Sequence, residues 1–106
     1  MITIEEFKKI EMIVARVKEV KEHPNADRLY VLKVDTGKEE RQLVAGIRNF
    51  YTKEQLLGRQ VIIVGNLQPA VIRGEESNGM VLAVTDEKGT SVLMPDRETA
   101  LGTQVR

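Results

Sequence analysis

Between Asn66 and Met80 the chain gathers side chains that can grip a polyanion. Asn66 and Gln68 carry amides able to donate and accept at a base edge or a ribose 2′-OH. Arg73, the only cation of the stretch, can fork onto a phosphate or stack on a base. Ser77 can bond a phosphate, and Met80 can lie against an exposed base. Pro69 fixes its own φ, while Gly74 and Gly79 allow a close approach of backbone to a ligand. Each residue also has a plain structural use. Asn66 can close its own loop on backbone. Arg73 can pair with Glu75 or Glu76, Ser77 can cap the following strand, and Met80 can point into the core. Upstream, Lys33 sits on the outward side of an alternating strand, where it can reach a phosphate or simply discourage edge-to-edge aggregation. Arg28 and Arg41 are candidates on the same reasoning.

Catalytic arrangements fail on physical grounds. Asp35-Thr36-Gly37 is the aspartic-protease tripeptide, with Leu57-Gly58-Arg59 imitating a second motif. Such a site needs two desolvated carboxylates sharing a proton. Asp35 instead leads into Lys38-Glu39-Glu40-Arg41, a hairpin tip in water. Ser77 lies in Gly-Glu-Glu-Ser-Asn-Gly, one residue off a nucleophile elbow. The single imidazole, His23, precedes Pro24 in a turn, and with Asp27 it makes one imidazole and one carboxylate, too few for a metal. No enzyme activity, cofactor or metal is expected.

Composition narrows the classes further. At 106 residues the chain reads as one domain. Two Phe, two Tyr and no Trp dictate an aliphatic core. Cysteine is absent, which excludes a disulfide scaffold and a thiolate metal site. No secretory apolar region opens the chain and no run approaches bilayer length, so a cytoplasmic location without a membrane is expected. Sixteen basic residues balance sixteen acidic ones, so any RNA site is a local patch of small field. No aromatic stacking platform is visible. Reading a folded RNA by its backbone contour is therefore favoured over base-by-base reading of a single strand.

The elements that must hold these residues read as an all-β chain. Thr3-Ile4-Glu5-Glu6 is a capping box opening a short helix, whose Phe7 and Ile10 face suits a lid over a barrel end. Met12–Val20 alternates, with Ile13, Ala15, Val17 and Glu19 on one face. Pro24, Asn25 and Asp27 mark a turn. Leu29–Asp35 follows, with Tyr30, Leu32 and Val34 on one side, then Arg41–Ala45. This meander is the first half of a small Greek-key barrel. Thr52-Lys53-Glu54-Gln55 caps one more helical turn, stopping at Gly58. Val61–Val64 and Met80–Val84 are strands four and five, joined by a loop too long for a tight hairpin. Asp86–Gly89 is a tight turn and Ser91–Met94 an added strand.

Asn66-Leu67-Gln68-Pro69, followed by Gly74-Glu75-Glu76-Ser77-Asn78-Gly79-Met80, resembles the signature of the dimeric bacterial tRNA-binding proteins. The same module closes many methionyl-tRNA synthetases and occurs in the synthetase-associated cytokine precursor. The resemblance continues through His23-Pro24-Asn25-Ala26-Asp27-Arg28-Leu29 and Arg41-Gln42-Leu43-Val44-Ala45-Gly46-Ile47. It implies a five-stranded OB-fold, with residues 1–10 as an N-terminal helix, 11–85 as the barrel and 86–106 as a C-terminal extension. It also implies tRNA binding by shape and a homodimer built on the N-terminal segment and the extension. An aminoacyl-tRNA synthetase is an implied partner. The same barrel serving as a protein–protein or chaperone-like module is the alternative. The family has a basic residue at the place of Lys33. It often has a lysine at the place of Gln68 and another basic residue near Ala70 or Val71, so this chain's loop is short of charge and its counterion release small.

Overall fold

The computed structural model describes residues 1–106. Its organising strand is β1 (Met12–Glu22), which is shared between two partners. Its first half pairs antiparallel with β4 (Gln60–Val64), from Met12 opposite Val64 to Arg16 opposite Gln60. Its second half pairs antiparallel with β2 (Tyr30–Asp35), from Arg16 opposite Asp35 to Glu22 opposite Tyr30. β3 (Glu40–Ala45) returns along β2, with Lys33 opposite Gln42. The sheet order is β3–β2–β1–β4–β7, where β7 is Met80–Val81. The Asn78 N–H donates to the Gln42 carbonyl at 2.8 Å, which draws the β7 end of the sheet back to β3. The result is an all-β, nearly closed five-stranded barrel of the OB type, with two short helices.

Strict alternation fails in β1. The register shifts between Val17 and Glu19, a bulge that leaves Lys18 without a direct partner. Ala15 and Val17 enter the core, and beyond the bulge Val20, not Glu19, packs against it. The core is aliphatic as composition requires. Leu32, Leu43, Leu56 and Ile63 are the largest of its sealed side chains, each stabilising by roughly 1.5–3 kcal/mol.

Both capping boxes form. Thr3 and Glu6 bond each other's backbone at the start of α1 (Ile4–Phe7), and Thr52 and Gln55 do so at α2 (Lys53–Leu56). α2 buries Leu56 in the core, next to which the Gly58 N–H donates to the Val17 carbonyl. α1 buries no residue, and Ile10 remains exposed, so the helix is not the lid its sequence suggests. The C-terminal segment lies along the free edge of β1. Gly102 and Val105 donate to Val14 and Met12, and Thr103 accepts from Val14. No helix is long and apolar enough to cross a membrane.

Two stretches depart from the sequence expectation. The connection from β4 to β7 is not a bare loop. It contains β5 (Ala70–Ile72) and β6 (Glu75–Ser77), closed by a two-residue turn of Arg73 and Gly74. Both turn residues have positive φ, 51° and 92°, as a type I′ hairpin requires. The expected strand Met80–Val84 splits at Leu82 into β7 and β8 (Ala83–Asp86), and β8 pairs with β9 (Gly89–Val92) in a separate hairpin.

Candidate nucleic-acid interface

The β5–β6 hairpin is fastened to the barrel at its root. Ser77 is buried, and its hydroxyl accepts from the Val44 N–H and donates to the Gly79 carbonyl, both at 3.0 Å. Gln42 Nε2 donates to the Glu76 carbonyl at 2.9 Å. Gly79 approaches so closely that a Cβ there would lie 2.7 Å from the Val64 carbonyl oxygen. Arg41 sits on the barrel-facing side of β3 opposite Val34 and donates to the carbonyls of Gly65 and Asn78. It thereby clamps the two ends of the β4–β7 connection.

These contacts sort the residues singled out in the sequence. Ser77 directs its hydroxyl at the protein's own backbone, and Arg41 spends Nη1 on backbone carbonyls and Nη2 on the Glu39 carboxylate at 3.3 Å, which withdraws both from a ligand-facing surface. Asn66 does the same, though not within its own loop. Its Oδ1 accepts from the Glu11 N–H at 3.0 Å, and its Nδ2 donates to the Lys9 carbonyl at 2.6 Å. It therefore docks the N-terminal segment where β4 ends. Gln68 is exposed beside it, and Met80 is exposed on β7, not in the core.

Lys33 and Arg73 face solvent on the side the hairpin occupies. Lys33 stands on β2 opposite Glu19 of β1 and Gln42 of β3, so all three share the outer face. Its Nζ lies 3.9 Å from Glu19 Oε2, and its side chain is half exposed. Gln42 links that row to β6. Lys21, opposite Val31, reaches Glu75 at 4.0 Å. At the tip, Arg73 bonds neither Glu75 nor Glu76. Its Nη1 donates to the Asn25 carbonyl at 3.2 Å. Arg28 is exposed in the turn that begins at His23. The face is thus a shallow floor of β1–β3 bordered by a fixed hairpin, carrying cations Lys21, Lys33 and Arg73 among the acids Glu19, Glu75 and Glu76. It has the shape to receive a backbone and too little charge to hold one by field alone.

Sequence reasoning missed His23, Asn25 and Gln42 as parts of this arrangement. His23 and Asn25 read as turn residues, and nothing in their spacing announces a partner almost fifty residues away. Among the side chains here no group of three or more potential metal ligands is present.

The model of the family described as "Putative tRNA binding domain" matches residues 12–104. A methionine–tRNA ligase of Pyrococcus horikoshii is 51% identical over 105 residues, covering 99% of this chain and 14% of that one. This chain thus spans about a seventh of the curated relatives it matches. Among solved structures, a MetRS-related protein from Pyrococcus horikoshii superimposes with a TM-score of 0.92 at 34% identity, over 100% of this chain and 98% of the other. The CsaA chaperone protein from Picrophilus torridus gives 0.93 at 31% identity, over the whole of both chains. The barrel, the hairpin that borders its outer face and these likenesses agree, and the chain belongs to the tRNA-binding domain family.

Proposed function

We propose that this chain binds tRNA through the outer face of β1–β3 and the tip of the β5–β6 hairpin, reading the contour of the folded RNA and not its sequence. Lys33 and Arg73 are the principal phosphate contacts, with Arg28, Gln68 and Met80 as flanking contacts. Ser77, Asn66 and Arg41 support the site from beneath. The chain is a non-catalytic cytoplasmic module of residues 1–106, arranged as an N-terminal segment (1–10), a barrel (11–85) and an extension (86–106). The observation that carries the reading is Arg73. A long-chain residue stands at φ 51°, where Gly or Asn is easier, and backbone strain of this kind concentrates at functional positions.

Arg73→Gly keeps the turn and removes the guanidinium. Arg73→Gly and Lys33→Ala should each weaken tRNA binding by about 1 kcal/mol and lower the salt slope by about one. Both variants should melt like the parent. Unchanged affinity in both, measured in a low-salt gel shift, would rule the site out.

A homodimer fits the same reading. Ile2, Ile4 and Ile10 are exposed on a segment that Asn66 holds in place, and paired patches on one RNA raise the effective concentration of a weakly charged site. Sedimentation at micromolar concentration should give the mass of two chains, and a monomer there would remove this part. Association with an aminoacyl-tRNA synthetase is supported by the methionine–tRNA ligases it matches. A second reading, a chaperone-like protein-binding surface, draws on the CsaA likeness and on exposed Val71 of β5. Partner capture that survives ribonuclease treatment would favour it.

A further inference from the structure

His23 directly follows β1 beneath the hairpin tip, and only 3% of it is exposed. Its backbone N–H donates to the Leu29 carbonyl at 3.1 Å, closing the turn that carries Asn25. Both ring nitrogens are engaged. Nδ1 accepts from the Asn25 N–H at 2.9 Å, and Nε2 lies 2.9 Å from the Ile72 carbonyl oxygen. An amide N–H only donates and a carbonyl only accepts, so the partners leave one arrangement. Nε2 carries the proton and Nδ1 does not. The imidazole therefore joins the β1–β2 turn to the last residue of β5, immediately before Arg73.

Asn25 passes that constraint to Arg73. Its carbonyl accepts from Arg73 Nη1 at 3.2 Å, and its Nδ2 faces the Arg73 carbonyl at 3.5 Å. The other contact near the tip, Lys21 with Glu75 at 4.0 Å, is a surface pair of little worth. The strong fastenings through Gln42 and Ser77 lie at the root, at Glu76 and Ser77. A hairpin fixed only at its root would let its tip sway.

We propose that His23 is a positioning residue for RNA binding. Its single tautomer ties the turn to the hairpin and thereby aims the Arg73 guanidinium through Asn25. This rests on the reading of Arg73 as an RNA contact. The alignment itself, however, is a property of the free protein and is testable without RNA.

In the free protein, long-range proton–nitrogen spectra should show His23 protonated at Nε2 and bare at Nδ1. His23→Phe keeps a flat ring and loses both bonds. It should shift the amides of Asn25, Arg73 and Gly74 while leaving those of Val44 and Ser77 in place. His23→Gln retains a donor for Ile72 and should restore part of the native pattern. With unfractionated tRNA, His23→Phe should weaken binding about fivefold, as Arg73→Gly does. The double variant should be no weaker than either single one. A proton on Nδ1, tip amides unmoved in His23→Phe and His23→Gln alike, or losses that multiply in the double variant would each overturn the proposal. Should His23→Phe not fold, the tautomer and His23→Gln decide it. If Arg73→Gly and Lys33→Ala both bind tRNA like the parent while the spectra behave as expected, the RNA reading fails and the alignment stands.

Discussion

The two small hairpins outside the barrel sheet differ in how they are held. β5–β6 is bonded at its root by Ser77 and Gln42 and near its tip by His23 and Asn25. β8–β9 is hydrogen-bonded to the rest of the chain at one end only. Every residue of β8 is exposed, Val92 is buried in the core, and the Val92 N–H donates to the Tyr51 hydroxyl at 3.0 Å. The hydrogen bonds of its tip stay within the hairpin, Asp86 Oδ1 accepting from the Lys88 N–H at 2.8 Å, and the Phe50 ring lies against Gly89 without a polar contact. A hairpin that only joins strands needs one anchor. One that must present a side chain at a fixed place needs an anchor at each end, since ordering a residue costs about 1–2 kcal/mol that local contacts must offset.

The contrast can be broken most forcefully at Gly79. Gly79→Ala would force a Cβ against the Val64 carbonyl at a φ of 131° that side chains avoid. A loss of about 3 kcal/mol in urea unfolding is expected from strain and clash together. Ser77→Ala comes next. It strands the buried Val44 N–H and should cost about 1–3 kcal/mol by the same measurement. If Ser77→Ala were neutral, the root would not be a polar anchor. At the other hairpin, Glu87→Ala and Lys88→Ala should change stability by less than about 0.5 kcal/mol and leave tRNA affinity untouched. A tip substitution there that matched Arg73→Gly in lost affinity would erase the distinction between the two.

The barrel was legible because its evidence is local. Val- and Ile-rich runs, two capping boxes and the turn at Pro24 all act over a few residues, and all form. The outward direction of Lys33 followed from alternation along β2. Three features escaped because their causes are distant. The β5–β6 hairpin turns on Arg73-Gly74, which lacks the Asn-Gly or Asp-Gly signature of such turns. The burial of Ser77 depends on Val44, thirty-three positions away. Asn66 satisfies the backbone of Lys9 and Glu11, and no reading of its own loop could anticipate that. The candidate site was therefore half visible. Its exposed cations Lys33 and Arg73 could be named, and the polar groups beneath them could not.

One unpaired residue in β1 has a wider consequence. A ribbon with perfect two-residue rhythm would present the same set of positions to the interior along its whole length. The extra residue at Lys18 resets that rhythm midway, so Ala15 and Val17 count on odd numbers and Val20 on an even one. A single strand thereby serves two differently inclined walls without placing Glu19 among hydrocarbons. Lys18 works by standing outside the count: paired like its neighbours, it would turn Glu19 inward and Val20 outward, and invert everything after it, whatever residue types remained.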